Sequence, residues 1–512
     1  MGASQSTQKV SKAKLNEKHH YQHASDEAIA AAILPLSISP SAQGPVSSDG
    51  SISLENLENW EDEASKARDQ RLQLSRTILN HTDFKTALLS RKTKIANLHI
   101  FNTRLDFHGN TKVTDQKSSG RCWLFATTNV IRYNIAKSLG LEDFQLSQSY
   151  LFLYDKLNKA NYYLELSIQH VDLPLDDRLI VHLADDPVGD GGQWDMAVNL
   201  LENYGLVPQA IFPESYSSSA SKRLDQLITT KLREHALLLR KRFAELEGSL
   251  GVLDAPTRQQ RIQEDLRQRK EQYIGEVYKI LTVTLGEPPK PNDRFDWEYY
   301  TAHGDYKSWT GTPLEFYKTF SNKRYPHHEA FSLINDPRNE YGKLYTVDKL
   351  GNVWNGRPIR YVNTSSQRLR EAVVKTIKAG QPVFFGCDVG QSSDQASGVM
   401  ATGLYDIENA FGVTLGLDKA DRLRTGESAM THAMTITAVH LDDKGTPVRF
   451  KVENSWGETA GEHGYFVMTT EWFDEYVYQV VVPKQLAPGD LIKVLDQEPI
   501  VLPPWDPLGA LA

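Results

Sequence analysis

Cysteine is nearly absent from this chain. Its 512 residues include two, Cys122 and Cys387. Two thiols so far apart exclude a disulfide-stapled secreted scaffold and point to a reducing compartment. Cys387 follows the apolar run Val383-Phe384-Phe385 and reads as a buried thiol. No apolar stretch approaches the ~18–20 residues of a membrane span. Residues 1–25 lack the apolar core of a signal peptide. No arginine precedes Arg68, which argues against a mitochondrial presequence, although the lysine-bearing, acid-poor start keeps that alternative open beside a cytoplasmic location. Positive charge is not in excess: the net charge is −8, so the protein as a whole is not an obvious nucleic-acid binder. No glycine loop of the phosphate-cradling type occurs. The rest is ordinary for a large folded enzyme, with 40% hydrophobic and 10% aromatic residues.

Large apolar residues are also scarce before Ile33, where Ser, Ala, Lys and Gln dominate. Residues 1–55 are therefore expected to be mostly disordered. Met1-Gly2-Ala3-Ser4-Gln5-Ser6 fits an N-myristoylation pattern at Gly2, with Lys9, Lys12, Lys14 and Lys18 as basic support; the alternative is a chance match. His19, His20 and His23 have no acidic or thiol ligands near them and read as solvated.

What is present begins with Gln116 and Cys122. The cysteine opens an apolar segment (Trp123-Leu124-Phe125-Ala126, then Val130, Ile131, Tyr133 and Ile135) that reads as a helix up to Gly140. A cysteine at a helix N-terminus feels the positive end of the macrodipole, which favours thiolate. A glutamine amide and the cysteine's own N–H can converge on one developing oxyanion. Taken alone, Cys122 would be a buried core thiol. The reading changes with Thr431-His432-Ala433-Met434 and Glu453-Asn454-Ser455-Trp456-Gly457, each beside a strand-like run. A nucleophilic thiol needs a base within reach, and the base needs a group that fixes its ring. His432 and Asn454 on neighbouring strands supply both, and Trp456 is spaced to cover their hydrogen bond. Singly, His432 reads as a satisfied core histidine and Asn454 as a turn residue; together with Cys122 they form one signal.

These motifs resemble the papain superfamily of cysteine peptidases. Two departures are informative: Ser119-Gly120-Arg121-Cys122 replaces Cys-Gly-Ser-Cys, so a structural disulfide partner is missing, and His432 follows Cys122 by 310 residues. Both match the bleomycin hydrolase branch. So do Leu146-Ser147-Gln148-Ser149-Tyr150-Leu151, Asp190-Gly191-Gly192-Gln193-Trp194-Asp195-Met196, Phe385-Gly386-Cys387-Asp388-Val389-Gly390 and the closing Trp505-Asp506-Pro507-Leu508-Gly509-Ala510-Leu511-Ala512. The resemblance covers about residue 60 to the C-terminus. It implies an α+β, papain-like two-lobed fold: a helical half with Cys122, a β-barrel-like half with His432 and Asn454, and a large helical insertion. It also implies aminopeptidase action on short or unfolded peptides, with bleomycin-like amides and homocysteine thiolactone among the substrates, and a ring-shaped homohexamer. No metal or organic cofactor is expected.

The organisation follows. Residues 56–215 form the N-terminal and helical half. Residues 216–300 carry a helical hairpin, with Ser219-Ala220-Ser221 capping the first helix and Ala255-Pro256-Thr257 opening the second, and are expected to serve as an oligomer contact. Between Lys222 and Lys279 there are 13 Lys/Arg against 9 Asp/Glu, too small an excess to argue a DNA site. Residues 301–485 form the β-rich half. Residues 486–512 form an extended arm, since Pro503, Pro504 and Pro507 forbid a regular helix. Gly191 and Gly192 either allow an extended peptide to approach the backbone or form a plain turn before a helix, and the resemblance implies substrate binding. By resemblance, Ala512 enters the cleft and its α-carboxylate meets the substrate's free amino group; the alternative is a frayed or surface-packed tail. Two other classes remain open: a different Cys-His acyl-transfer enzyme, and a nucleic-acid-binding ring with secondary peptidase activity.

Overall fold

The structure is a computed structural model that describes residues 50–66, 70–105 and 112–510. Gly2, the histidines at 19, 20 and 23, and Leu511 and Ala512 lie outside the described residues.

The central helix α1 (Cys122–Leu139) is buried on nearly every side, its apolar residues joined by the buried polar side chains of Thr127, Thr128, Asn129 and Arg132. Gly140 ends it in the left-handed conformation (φ 63°, ψ 46°), its N–H returning to the Ala136 carbonyl. Helix α2 (Gln148–Gln169) is capped by the Ser147 hydroxyl, which accepts from the Tyr150 N–H at 3.0 Å. Helix α3 (Trp194–Tyr204) follows the Gly191-Gly192 pair.

The insertion is a pair of long helices, α4 (Lys222–Ser249) and α5 (Ala255–Leu285). Asp254 caps α5 through the Thr257 N–H at 3.1 Å, and Pro256 sits in its first turn, as expected of a helix start. Ser221 does not cap α4: no side-chain cap forms there, and its hydroxyl goes instead to the Asp190 carboxylate. Leu224, Ile228, Leu232 and Leu239 of α4 and Ile262, Leu266, Val277 and Leu281 of α5 are buried in one core with α1 and α2. The hairpin is thus docked on the helical half rather than free-standing.

The strand-rich half is a mixed sheet of twelve strands among the described residues. Its main strands are β1 (Phe331–Ile334), β2 (Leu344–Val347), β3 (Tyr361–Asn363), β4 (Val383–Cys387), β5 (His432–Leu441), β6 (Pro447–Glu453), β7 (Tyr465–Thr469), β8 (Val477–Val482) and β9 (Ile500–Leu502). The order is β9-β2-β3-β1-β8-β4-β5-β6-β7, continued by the short strands Val399–Met400 and Ser393–Asp394. The order is linear, and no pairing between its end strands occurs among the described residues. Side chains alternate across β5. Ala433 packs in the core of α1, and the Thr435 hydroxyl donates to the Ala126 carbonyl of α1 at 3.2 Å. Met434 and Ile436 pack with Leu369, Val373 and Ile377 of the helix Ser366–Lys378. The sheet is therefore covered on both faces, and α1 lies against the strand that begins with His432. Among the described residues no helix is long and apolar enough to cross a membrane.

Candidate active site

Cys122 is the first residue of α1, His432 the first of β5, and Asn454 the first after β6. β5 and β6 are antiparallel neighbours, with Thr435 opposite Glu453, and this brings the histidine and asparagine together. His432 Nε2 lies 2.9 Å from Asn454 Oδ1. An amide oxygen can only accept, so Nε2 carries the proton and the neutral ring keeps its lone pair on Nδ1. Asn454 Oδ1 is held in place by a second donor, the Ser455 N–H at 2.8 Å. The Trp456 ring lies 4.9 Å from the imidazole at 31°, covering the pair as its spacing predicted.

The Cys122 sulfur receives backbone hydrogen bonds from Ala433, beside His432, and from Trp123 in its own first turn. Burial pushes the thiol up to about 12 and outweighs these donors, which favour thiolate. Burial also pushes His432 down to about 4, against the hydrogen bond to Asn454. At neutral pH the resting groups are therefore a thiol and a neutral imidazole. Each charged form lacks solvent, and a thiolate and an imidazolium formed together stabilise one another.

Gln116 is buried in the loop before Cys122, although its neighbours Lys117 and Ser118 are exposed, and its amide is braced at both ends. Its Oε1 accepts from the Ser455 hydroxyl at 2.6 Å, and its Nε2 donates one hydrogen to the Ser119 carbonyl at 2.7 Å. The second Nε2 hydrogen is left for another acceptor. The Gln116 N–H also donates to the Ser455 carbonyl at 2.8 Å. Gln116 and Asn454 are thus joined through one residue, Ser455, a link that no local sequence signal announced.

The loop before Cys122 is braced by Arg121, which is fully buried. Its guanidinium meets Glu214 at 3.0 and 2.8 Å, donates from Nε to the Ser119 hydroxyl at 2.9 Å, and lies over the Phe125 and Phe152 rings. The Ser119-Gly120-Arg121 departure noted in the sequence is therefore a different brace for the loop, ionic where a disulfide is missing.

Gly191 and Gly192 lie beside this loop. The Trp123 indole N–H donates to the Asp190 carbonyl at 2.6 Å, and a Cβ on Gly192 would come within 2.4 Å of the Trp123 ring. Only glycine allows that approach. Lys159 of α2 donates to the Gly189 and Gly191 carbonyls at 2.6 and 2.7 Å. Lys156, fully buried, bridges Asp190 and Asp225 at 2.6 Å each. Burial would lower Lys156, but the two carboxylates hold it above the usual lysine range. Burial would raise Asp190, but Lys156, Ser221 and the Gly120 N–H hold it well below the usual carboxylate range. Asp225 is pushed up to about 7, chiefly by burial. This cluster ties the hairpin to the loop before Cys122, and sequence reasoning missed it because its members lie on four separate segments.

Two cavities flank the glycine segment. One of about 360 Å³ is lined by Lys159, His182, Gly191, Lys349, Pro504 and Gly509. The other, about 990 Å³, is lined by Ser118, Gly120, Asp190, Ser221 and Asp225.

The C-terminal segment reaches the same place. It is not extended throughout: Gly489–Val494 is helical, and Pro507–Gly509 is one tight turn that Asp506 caps through the Leu508 N–H at 2.9 Å. β9 pairs in parallel with β2, Asp506 meets Arg338 at 2.9 Å, Trp505 lies under the Arg178 guanidinium, and Leu508 is buried. The Gln193 Nε2 then donates to the Ala510 carbonyl at 3.0 Å, next to Gly192. The segment is anchored up to Ala510.

The model of the Peptidase C1-like family matches residues 51–509. Aminopeptidase C of Listeria monocytogenes serovar 1/2a (strain ATCC BAA-679 / EGD-e) is 39% identical over 464 residues, covering 90% of this chain and 99% of the relative. Bleomycin hydrolase of Homo sapiens is 40% identical over 452 residues, covering 87% and 95%. Cysteine proteinase 1, mitochondrial, of Saccharomyces cerevisiae (strain JAY291) is 39% identical over 470 residues, covering 90% and 93%. The crystal structure of PepW from Lactobacillus rhamnosis HN001 superposes with a TM-score of 0.83 at 39% identity, covering 91% of this chain and 100% of that one.

Proposed function

The chain belongs to the Peptidase C1-like family, and from that premise we propose that its cysteine aminopeptidase chemistry runs through Cys122, His432 and Asn454. The observation that carries the assignment is the 2.9 Å contact from His432 Nε2 to Asn454 Oδ1, which leaves Nδ1 free to take a proton. His432 removes the Cys122 thiol proton as the sulfur attacks the scissile carbonyl carbon. The carbonyl oxygen becomes an oxyanion that accepts from the free Gln116 Nε2 hydrogen and the Cys122 N–H. Collapse of the tetrahedral intermediate breaks the C–N bond, and His432 delivers its proton to the leaving amine. His432 then takes a proton from water, whose oxygen attacks the thioester. The acid is released and the thiol restored. Asn454 holds the ring throughout, under Trp456.

Selectivity for the N-terminus comes, on this reading, from the C-terminal arm. The Ala510 anchor supports a course that carries the carboxylate of Ala512 into the cleft, where it pairs with the substrate's α-ammonium and blocks longer chains. Gly191 and Gly192 line the path of the peptide backbone. Short or unfolded peptides are the proposed substrates, with bleomycin-like amides suggested by the human relative's name and homocysteine thiolactone by the family resemblance. A homohexameric ring is proposed on the same resemblance. Cytoplasmic residence is the proposed location, and the yeast relative's name supports the mitochondrial alternative.

The test is hydrolysis of a free-amine and an N-blocked fluorogenic peptide by the purified protein, with and without iodoacetamide. Hydrolysis of the free-amine peptide only, abolished by the alkylator, is expected. Equal cleavage of both peptides, or resistance to alkylation, contradicts the reading.

The roles can be ranked with the same assay. Gln116→Ala is expected to lower kcat by roughly 10²–10³, the usual cost of one oxyanion donor. Asn454→Ala should be milder than His432→Ala, because one orients the ring and the other carries the proton. An Asn454→Ala enzyme slower than His432→Ala would reverse the assignment.

A further inference from the structure

His432 is the first residue of β5, so the ladder continues from it in one direction only. Before it runs an irregular segment, residues 427–431, that belongs to no helix or strand. A base that must meet Cys122 needs that segment fixed. What fixes it is Phe385-Gly386-Cys387-Asp388 at the end of β4, a run for which the mechanism above finds no use.

Three residues of that run hold the segment. Gly386 faces Met430: a Cβ at 386 would stand 2.2 Å from the Met430 sulfur, so glycine makes room for a side chain two residues before the base. The Cys387 carbonyl accepts from the Thr431 N–H at 3.0 Å, while its thiol takes no part. The Asp388 carboxylate accepts from the Ser428 hydroxyl at 2.8 Å and from the Thr431 hydroxyl at 3.3 Å. The Ser428 hydrogen is thereby used, so in the 2.6 Å contact between Ser428 and Tyr478 of β8 the tyrosine is the donor. Asp388 is 6% exposed. A buried carboxylate forfeits hydration unless donors replace it. Here the donors sit at the two ends of the segment that delivers His432, so carboxylate and segment are ordered together.

The consequence reaches the sulfur. Ala433, next to His432, directs its N–H at Cys122. A shift of residues 430–433 therefore moves the base and a thiolate donor at once, and a misplacement of about 1 Å costs on the order of 10²-fold.

We propose that Asp388 is a positioning residue: with Gly386 and the Cys387 carbonyl it cradles the segment before His432 and so sets the approach of the imidazole to Cys122. The inference rests on the reading of His432 as the base.

The experiment measures kcat and KM on a free-amine peptide for the full chain, Asp388→Asn, Ser428→Ala, His432→Ala and the Asp388→Asn/His432→Ala pair. Thermal midpoints establish that each loss is read on folded protein, and the rate of Cys122 alkylation by iodoacetamide gives the same comparison without turnover. Asparagine keeps the size of Asp388 but turns a donor toward one of its two hydroxyls. Asp388→Asn should lower kcat about 10–10²-fold, with KM changed less than about twofold. Ser428→Ala deletes the shorter bond and keeps the charge; it should lower kcat roughly three- to tenfold, and it decides the matter if Asp388→Asn does not fold. In the His432→Ala background Asp388→Asn should cost less than about twofold, because the residue acts through the base. A kcat that Ser428→Ala and a folded Asp388→Asn both leave unchanged overturns the inference. So does a loss confined to KM, and so does an equal loss with and without His432, the mark of a general brace. A normal kcat in His432→Ala refutes the reading of the base instead.

Discussion

Cys122→Ala is expected to lower kcat on the order of 10⁶-fold, the cost of removing the nucleophile from a catalytic set that acts as a unit. Cys387→Ala should leave hydrolysis largely intact. The contrast is less obvious than it first reads, because Cys387 is the cross-strand partner of His432 in the β4–β5 register. Closeness to the base does not distinguish the two thiols; their own surroundings do. Cys122 has backbone N–H groups from Ala433 and Trp123 turned toward its sulfur, and the positive end of α1 behind it. For Cys387, burial, Asp388 and Cys122 itself all oppose the thiolate, and it is completely enclosed. One equivalent of iodoacetamide near neutral pH should therefore modify Cys122, read by peptide mass mapping. The pH profile carries the sign of the partner's shift. Burial holds His432 down to about 4, so the ring is free to accept a proton above that value and is blocked below it. Labelling and kcat/KM should accordingly fall as pH drops through about 4. Modification of Cys387 first, or hydrolysis surviving in Cys122→Ala, would remove Cys122 from its proposed role.

Deleting Leu508 to Ala512 should turn an aminopeptidase into an enzyme that cuts blocked and internal bonds. Leaving a buried charge unpaired costs about 3–5 kcal/mol, which corresponds to a loss of roughly 10²–10³ or more in the preference for a free amine. Chemistry at the sulfur should persist, because no residue of the arm touches Cys122, His432, Asn454 or Gln116 among the described contacts. The stability cost falls on the buried Leu508 side chain, the Gln193 contact, the Tyr361 hydroxyl's hydrogen bond to the Leu508 carbonyl and the turn that Asp506 caps. The upstream anchors, β9 on β2 and Asp506 on Arg338, are retained. Mass analysis of products from a long unstructured peptide distinguishes stepwise trimming from internal cleavage. Continued dependence on a free amine would show that the arm is not the selectivity device.

Much of this site was legible because its signals are local. A cysteine opening an apolar helix, a histidine opening a strand run and an asparagine closing one each carry their element boundary with them, and Cys122, His432 and Asn454 sit at those boundaries. The Gly191-Gly192 pair was legible for the same reason. What stayed hidden is the bracing, which is tertiary. Arg121 finds Glu214 at the far end of the helical half, and Lys156 finds Asp225 on the hairpin. Ser221 was legible only as a cap, yet its hydroxyl serves Asp190. The linear strand order was invisible as well, since β9 reaches its place beside β2 from the far end of the chain. Residue types at these positions are common ones, and only the fold gives them partners.

The same long-range wiring has a consequence for biosynthesis. Cys122 emerges from the ribosome more than three hundred residues before His432 and Asn454, and the Gln193 clasp has no partner until Ala510 is made. At ordinary elongation rates of about 5–20 residues per second, the thiol spends tens of seconds without a base. A growing chain therefore carries the nucleophile but not the machine. It has neither base nor orienter until the strands that carry His432 and Asn454 are made, late in synthesis.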